Sequence, residues 1–253
     1  MGKSMTNQAD VQTLKQKVAE SSQILDHEGL VDYHGHVSAR IPGTHLLLIK
    51  PVARPHYSIK PEDILTVDIE EYAAADMSQW DPSKQKGRTI DSPVPPRETM
   101  LHVSIYQARL DVMSVVHTHQ LIATAMGVGN TPIKALYNQA LPFAPETPIF
   151  PKPNLIANIA LGREAAACLA DRNAMLMRGH GVVVVGESVE HAVSNTIYLE
   201  RTALMQVIAS IVGSPTALSP EYIAEFGPDW NRRASHAYEY FRSLVPSLGG
   251  KRG

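Results

Sequence analysis

A single cysteine, Cys168, among 253 residues rules out an internal disulfide and any cluster of thiolate ligands. No stretch approaches the ~20 consecutive apolar residues that a membrane-spanning helix needs. The polar residues that follow Met1 lack the apolar core of a secretory leader, so a cytoplasmic location is expected. Charge of one sign is also missing. A formal net charge of −2 provides no polyanion-binding excess, so neither nucleic acid nor a membrane is an expected partner. Internal repeats and low-complexity tracts are absent as well. What remains has ordinary globular composition, 44% apolar and 19% charged. Its length suits one α/β domain.

Along that domain, residues 10–28 carry an amphipathic stripe of Val11, Leu14, Val18 and Ile24 or Leu25, which predicts a helix. A β pattern follows over 30–40, 46–49 and 64–68, with Pro51, Pro55 and Pro61 in its loops. Residues 72–96 read as a long loop holding at most one strand, and a loop of that length is more often functional than idle. Helical patterns cover 97–109, 121–126, 155–169 and 188–211, the last capped by Ser188. The expected division is a domain over 1–213 and a helical tail over 214–253, packed on that domain or on a neighbouring subunit. Short helices are expected in the tail at 222–226 and 230–244.

Chemistry concentrates in three histidines. His117 and His119 end an apolar, β-branched run, and alternate residues of a strand point the same way, so both imidazoles project from one face. His180 lies between the apolar runs 174–177 and 182–185, flanked by Gly179 and Gly181, as a residue in a hairpin turn would. Neutral imidazole is the commonest metal-binding side chain. Three of them with an open position make a catalytic rather than a structural centre. Glu98, at the start of a helical run, is the fourth candidate ligand and the candidate acid/base. A His-X-His pair alone says little in a chain with 11 histidines. The ordered set of Glu98, His117, His119 and His180 is what carries weight.

That set, with His36-Val-Ser-Ala-Arg40, His102, Tyr106 and the run from Gly179 to Glu200, resembles the class II aldolase/adducin family over roughly residues 10–212. The resemblance implies an α/β/α sandwich around a largely antiparallel central sheet. It also implies a homotetramer with sites at subunit boundaries. His117, His119 and His180 correspond to the metal ligands, and Glu98 to the acid/base residue and occasional fourth ligand. One divalent ion per subunit is expected, Mn²⁺ or Zn²⁺, with Co²⁺ also compatible. Tyr137 lies near the place where aldolases of the family put a tyrosine contributed across the subunit boundary.

The chain departs from the sugar-phosphate aldolases of that family where they cradle phosphate with small residues. It has His36, the stretch 51–54 with Arg54, and Pro96-Arg97 at those places. Arginine matches a carboxylate through a bidentate fork, so the expected substrate is a carboxylated small molecule without phosphate. Arg97 is the first candidate to hold it, followed by His36, Ser38, Lys50 and Arg54. These departures look most like the decarboxylase branch, which acts on ring dicarboxylates bearing a hydroxyl beside the departing group. The expected reaction is therefore metal-dependent, non-oxidative decarboxylation of a hydroxylated aromatic or pyridine dicarboxylate, through an enolate-like intermediate. The alternatives are an aldolase for a non-phosphorylated, carboxylated aldol and an adducin-like binding module without catalysis. His102, four residues beyond Glu98, reads as a support that hydrogen-bonds it.

Overall fold

Strand pairing organises the molecule, which is described by a computed structural model over residues 8–52, 54–75, 93–227 and 229–250. Seven strands form one sheet in the order β3-β2-β1-β4-β7-β6-β5. They are β1 (His36–Arg40), β2 (Leu46–Ile49), β3 (Leu65–Asp68), β4 (Ser114–Thr118), β5 (Ile149–Phe150), β6 (Ala174–Met177) and β7 (Gly181–Gly186). Every pairing is antiparallel except β5 with β6. The central strands are buried on both faces, which accounts for unbroken apolar runs such as Val182–Val185.

Side-chain alternation sorts those runs into two layers. Val115, Met175, Met177, Val183 and Val185 pack under α3 (Thr99–Ala108) and α5 (Ile159–Leu169), with α2 (Ile69–Ala74) alongside. Val37, Ala39, Leu48 and Val116 face the other way, toward α1 (Gln8–His27), α6 (Val189–Val212) and α8 (Asp229–Leu244). On that second face, Ala174, Leu176, Val182 and Val184 meet the helix α4 (Leu121–Val128). The result is the expected α/β/α sandwich.

The tail carries α7 (Pro220–Phe226) and α8. Tyr238 and Phe241 of α8 are buried, while Tyr240 is exposed. The Tyr238 phenol meets Ser21 of α1 at 3.2 Å, and Trp230 donates to Asn195 of α6 at 2.6 Å. Arg242 adds a two-pronged contact to Glu20, 2.9 Å on each arm.

The structure corrects the sequence reading at several element ends. Residues 30–35 are not strand, because the chain turns there with Gly35 at φ +104°. Residues 69–74, of which 72–74 were expected to open the long loop, form α2, whose N-terminus is capped by the Asp68 carboxylate through the amides of Glu70 and Glu71. Helix α5 begins four residues later than expected, at Ile159 behind the cap Asn158. The two-residue strand β5 was not anticipated. Of the proposed long loop, residues 76–92 lie outside the described residues. Among the described residues, no helix is long and apolar enough to cross a membrane.

Leu101 of α3, the helix that follows Glu98, is fully buried against the sheet layer. Leu101→Ala is expected to lower unfolding stability by about 2–5 kcal/mol, measured by urea denaturation.

Candidate metal centre

Three termini of the central strands β1, β4 and β7 converge at one end of the sheet. His36 opens β1 and is paired in register with His117 near the end of β4, and His117 is paired in turn with Val183 of β7. His119 lies just beyond β4, and His180 sits in the tight turn between β6 and β7. Glu98 arrives from the same layer as the residue immediately before α3.

Two glycines make this convergence possible. Gly179 has φ +71°, a left-handed conformation that a residue with a Cβ adopts only under strain. Gly181 is needed for space. A Cβ there would stand 2.5 Å from the Thr118 carbonyl oxygen and 2.6 Å from Cδ2 of His119.

The donor atoms of Glu98, His117, His119 and His180 all lie within 4.8 Å of one another. His117 Nε2 is 3.1 Å from His119 Nε2 and 3.5 Å from Glu98 Oε2, and His180 Nε2 is 3.3 Å from Glu98 Oε1. Donors held about 2.0–2.2 Å from one ion in a tetrahedron are about 3.3–3.6 Å apart. The set therefore fits a divalent cation with little adjustment. His117 Nδ1 is 2.9 Å from the Val182 carbonyl, which can only accept. Its proton is thereby placed on Nδ1, and the Nε2 lone pair is turned to the cluster.

Electrostatics agree with this donor set. Burial favours a neutral Glu98, but His117 and His180 outweigh it and hold the carboxyl far below its ordinary range. Burial, with His117 and His180 as neighbours, lowers His119 to about 4. His180 loses from burial but gains more from Glu98, and ends above its ordinary value.

The family model for the class II aldolase and adducin N-terminal domain matches residues 16–207. The chain belongs to this family. As a class II aldolase/adducin protein it is 27% identical over 243 residues to 3,4-dihydroxyphthalate decarboxylase of Arthrobacter keyseri, covering 90% of this chain and 93% of that protein. The same-named protein of Terrabacter sp. is 28% identical over 240 residues, covering 90% and 96%. Among solved structures, L-fuculose 1-phosphate aldolase from Glaciozyma antarctica superposes with a TM-score of 0.76 at 19% identity, covering 95% and 91% of the two chains. At that identity the likeness speaks for the shared fold alone.

Of the substrate-binding candidates in this class II aldolase/adducin chain, His36, Lys50 and Arg97 come together with Glu98 around a cavity of about 160 Å³. Burial alone lowers Lys50 to about 8. Ser38 is not in that cavity. It lies behind, fully buried, hydrogen-bonded to His102 at 2.7 Å and to Tyr106 at 2.8 Å. Arg54 is exposed and paired with Asp63 at 3.2 Å, away from the cavity. Tyr137 is on the opposite face of the sheet, packed with the layer of α4, and its hydroxyl accepts from Thr202 at 3.5 Å. Within one chain it does not approach the four ligands.

His102 supports the site through different partners from those anticipated. It contacts His36 at 3.1 Å and Ser38 rather than Glu98. Glu98 instead accepts from the Ile156 amide at 3.2 Å. Sequence reasoning overlooked His34, whose ring centroid is 5.3 Å from that of His119, and Tyr33 beside it in the cavity wall. Glu200 of α6 was also passed over as a working group. Its carboxylate accepts from the Ile122 and Ala123 amides at 2.7 and 2.9 Å, at the start of α4 just after His119. A larger cavity of about 1060 Å³ opens near the other end of β1 by Arg40, His45 and Arg163, and it contains none of the four ligand residues. Volume is not what marks the reactive site here.

Gly181→Ala is expected to push His119 aside and weaken divalent-metal affinity by roughly tenfold or more. Metal analysis after dialysis against graded chelator checks this, with His117→Ala as the reference for full loss.

Proposed function

We propose that this chain is a metal-dependent carboxy-lyase that removes one carboxyl group, without oxidation, from a hydroxylated aromatic or pyridine dicarboxylate. One observation carries the reading: two cationic side chains, Arg97 and Lys50, and the imidazole of His36 line the cavity beside the four-ligand cluster. Of these, His36 and Arg97 stand where the resemblance led us to expect the phosphate cradle of the sugar-phosphate aldolases. The two dihydroxyphthalate decarboxylases matched over about nine-tenths of the chain support the same reading.

His117, His119, His180 and Glu98 would hold the ion, which supplies a Lewis acid to an oxygen of the substrate. Mn²⁺ is the favoured occupant, with Zn²⁺ next. The chain does the rest. Arg97 grips the carboxylate that stays, through its planar fork, and Lys50 adds a second charge from within the cavity wall. Glu98, held ionised, takes the proton of the ring hydroxyl and returns it to the ring carbon that bears the departing carboxylate. The ring is then a keto tautomer. Breaking the carbon–carbon bond releases carbon dioxide, and the bonding pair restores aromaticity while the oxygen takes the charge. Assembly into a homotetramer belongs to the same reading. It is supported by the exposed apolar stripe of α6, where Leu204, Ile208, Ile211 and Val212 face outward.

Chelated enzyme resupplied with Mn²⁺, Zn²⁺ or Co²⁺ is expected to release carbon dioxide and the matching monocarboxylate from at least one hydroxylated ring dicarboxylate in a panel. An aldehyde or pyruvate as product would overturn the reading in favour of aldol cleavage. Lys50 bears its charge below about 8 and loses it above. KM should therefore rise as pH passes through that value. Lys50→Met should remove this limb and raise KM by roughly tenfold, as expected when a charged contact is lost.

A further inference from the structure

Behind His36 a row of buried polar groups runs from the cavity toward the core. His36 Nδ1 stands 3.1 Å from His102 Nε2, His102 Nδ1 is 2.7 Å from Ser38 Oγ, and Ser38 Oγ is 2.8 Å from the Tyr106 hydroxyl. His102, Ser38 and Tyr106 are fully buried, and His36 is nearly so. The strand β1 supplies two members of the row from one face, and α3 supplies the other two, one turn apart.

Proton counting gives the row a single direction. The Tyr106 hydroxyl is fully buried, and its hydrogen needs an acceptor in a place that water does not reach. The side-chain oxygen available to it is that of Ser38. A serine that accepts from tyrosine turns its one hydrogen to His102 Nδ1. His102 then bears its proton on Nε2 and donates it to His36 Nδ1. His36 is left with its proton on Nε2, the nitrogen free to serve the cavity. The reverse direction would strand the tyrosine hydrogen.

We propose that Tyr106, Ser38 and His102 are positioning residues that fix the tautomer of His36, so that it presents an N–H to an anionic oxygen of the substrate. The ring thereby joins Arg97 and Lys50 as a third donor on the wall facing Glu98. Its contribution is directional and uncharged. This inference rests on the reading of the cavity as a site for a hydroxylated carboxylate, but its first test does not need a substrate.

Ring ¹⁵N NMR of histidine-labelled, Zn²⁺-loaded protein reports which nitrogen carries the proton, with His36 assigned through the signal lost in His36→Gln. The expected result is protonation at Nε2 in the unmodified chain. Ser38→Ala should shift the population toward Nδ1, whereas Ser38→Thr, which keeps the hydroxyl, should not. Tyr106→Phe should weaken the preference without reversing it, because Ser38 is then free either to donate to His102 or to accept from it. A merely structural role would not produce that order. On a hydroxylated ring dicarboxylate that the enzyme turns over, Ser38→Ala should lower kcat/KM about tenfold, with Ser38→Thr restoring most of it. Protonation of His36 at Nδ1 in the unmodified chain, or an unchanged tautomer in Ser38→Ala, overturns the inference. A chain that shows the tautomer shift but releases carbon dioxide from none of the panel refutes the decarboxylase reading and leaves the assignment of His36 standing.

Discussion

The pairing of β4 between β1 and β7 governs the site. Antiparallel register places His36 opposite His117 and brings the start of β7 against the end of β4. It also turns the Val182 carbonyl to His117, which commits that ring's second nitrogen to the cluster. A shift of one residue in either pairing would send His117 to the other face of the sheet. That slip would cost more than the site. The same shift would expose each face's apolar set to the wrong helical layer, so core packing and ligand geometry are protected by one constraint.

Around the cluster, sign and exposure are unevenly distributed. Glu98 is the single carboxylate among the imidazoles, and it is bound on several sides by His117, His180 and the Ile156 amide. Arg97, Lys50 and His36 stand on the adjoining wall. On the proposed reading, such a pocket favours an oxygen-rich anion over a neutral sugar. Burial of Lys50 means that part of this preference depends on a charge the protein holds only weakly.

Much of the site could be read from residues in order. His117 and His119 share a strand's period, His180 lies between two glycines, and Glu98 precedes a helix. Each of these signals is local. The supporting partners were not local. His102 lies four residues from Glu98 on paper, yet its contacts are made across the layer with β1. Ser38 shares a face with His36, but it is one strand repeat farther from the edge, which takes it out of the cavity and into the core. Arg54 is drawn away by Asp63, and Tyr137 follows α4 to the far side of the sheet. In the fold, the strong periodic helices were legible and short elements were not. The helix α2 depends on a capping carboxylate, and β5 on a neighbour that only the folded sheet provides.

Glu200 gives the centre one further property. By accepting from the first free amides of α4, it spends the positive end of that helix within the protein. The backbone that follows His119 therefore has little electrostatic pull left for a visiting anion. Attraction then rests on the ion that the cluster would hold and on the side chains of the wall. In descendants of this fold, the choice of ligand can thus be retuned by replacing single residues on the wall, with the scaffold that carries the histidines left untouched.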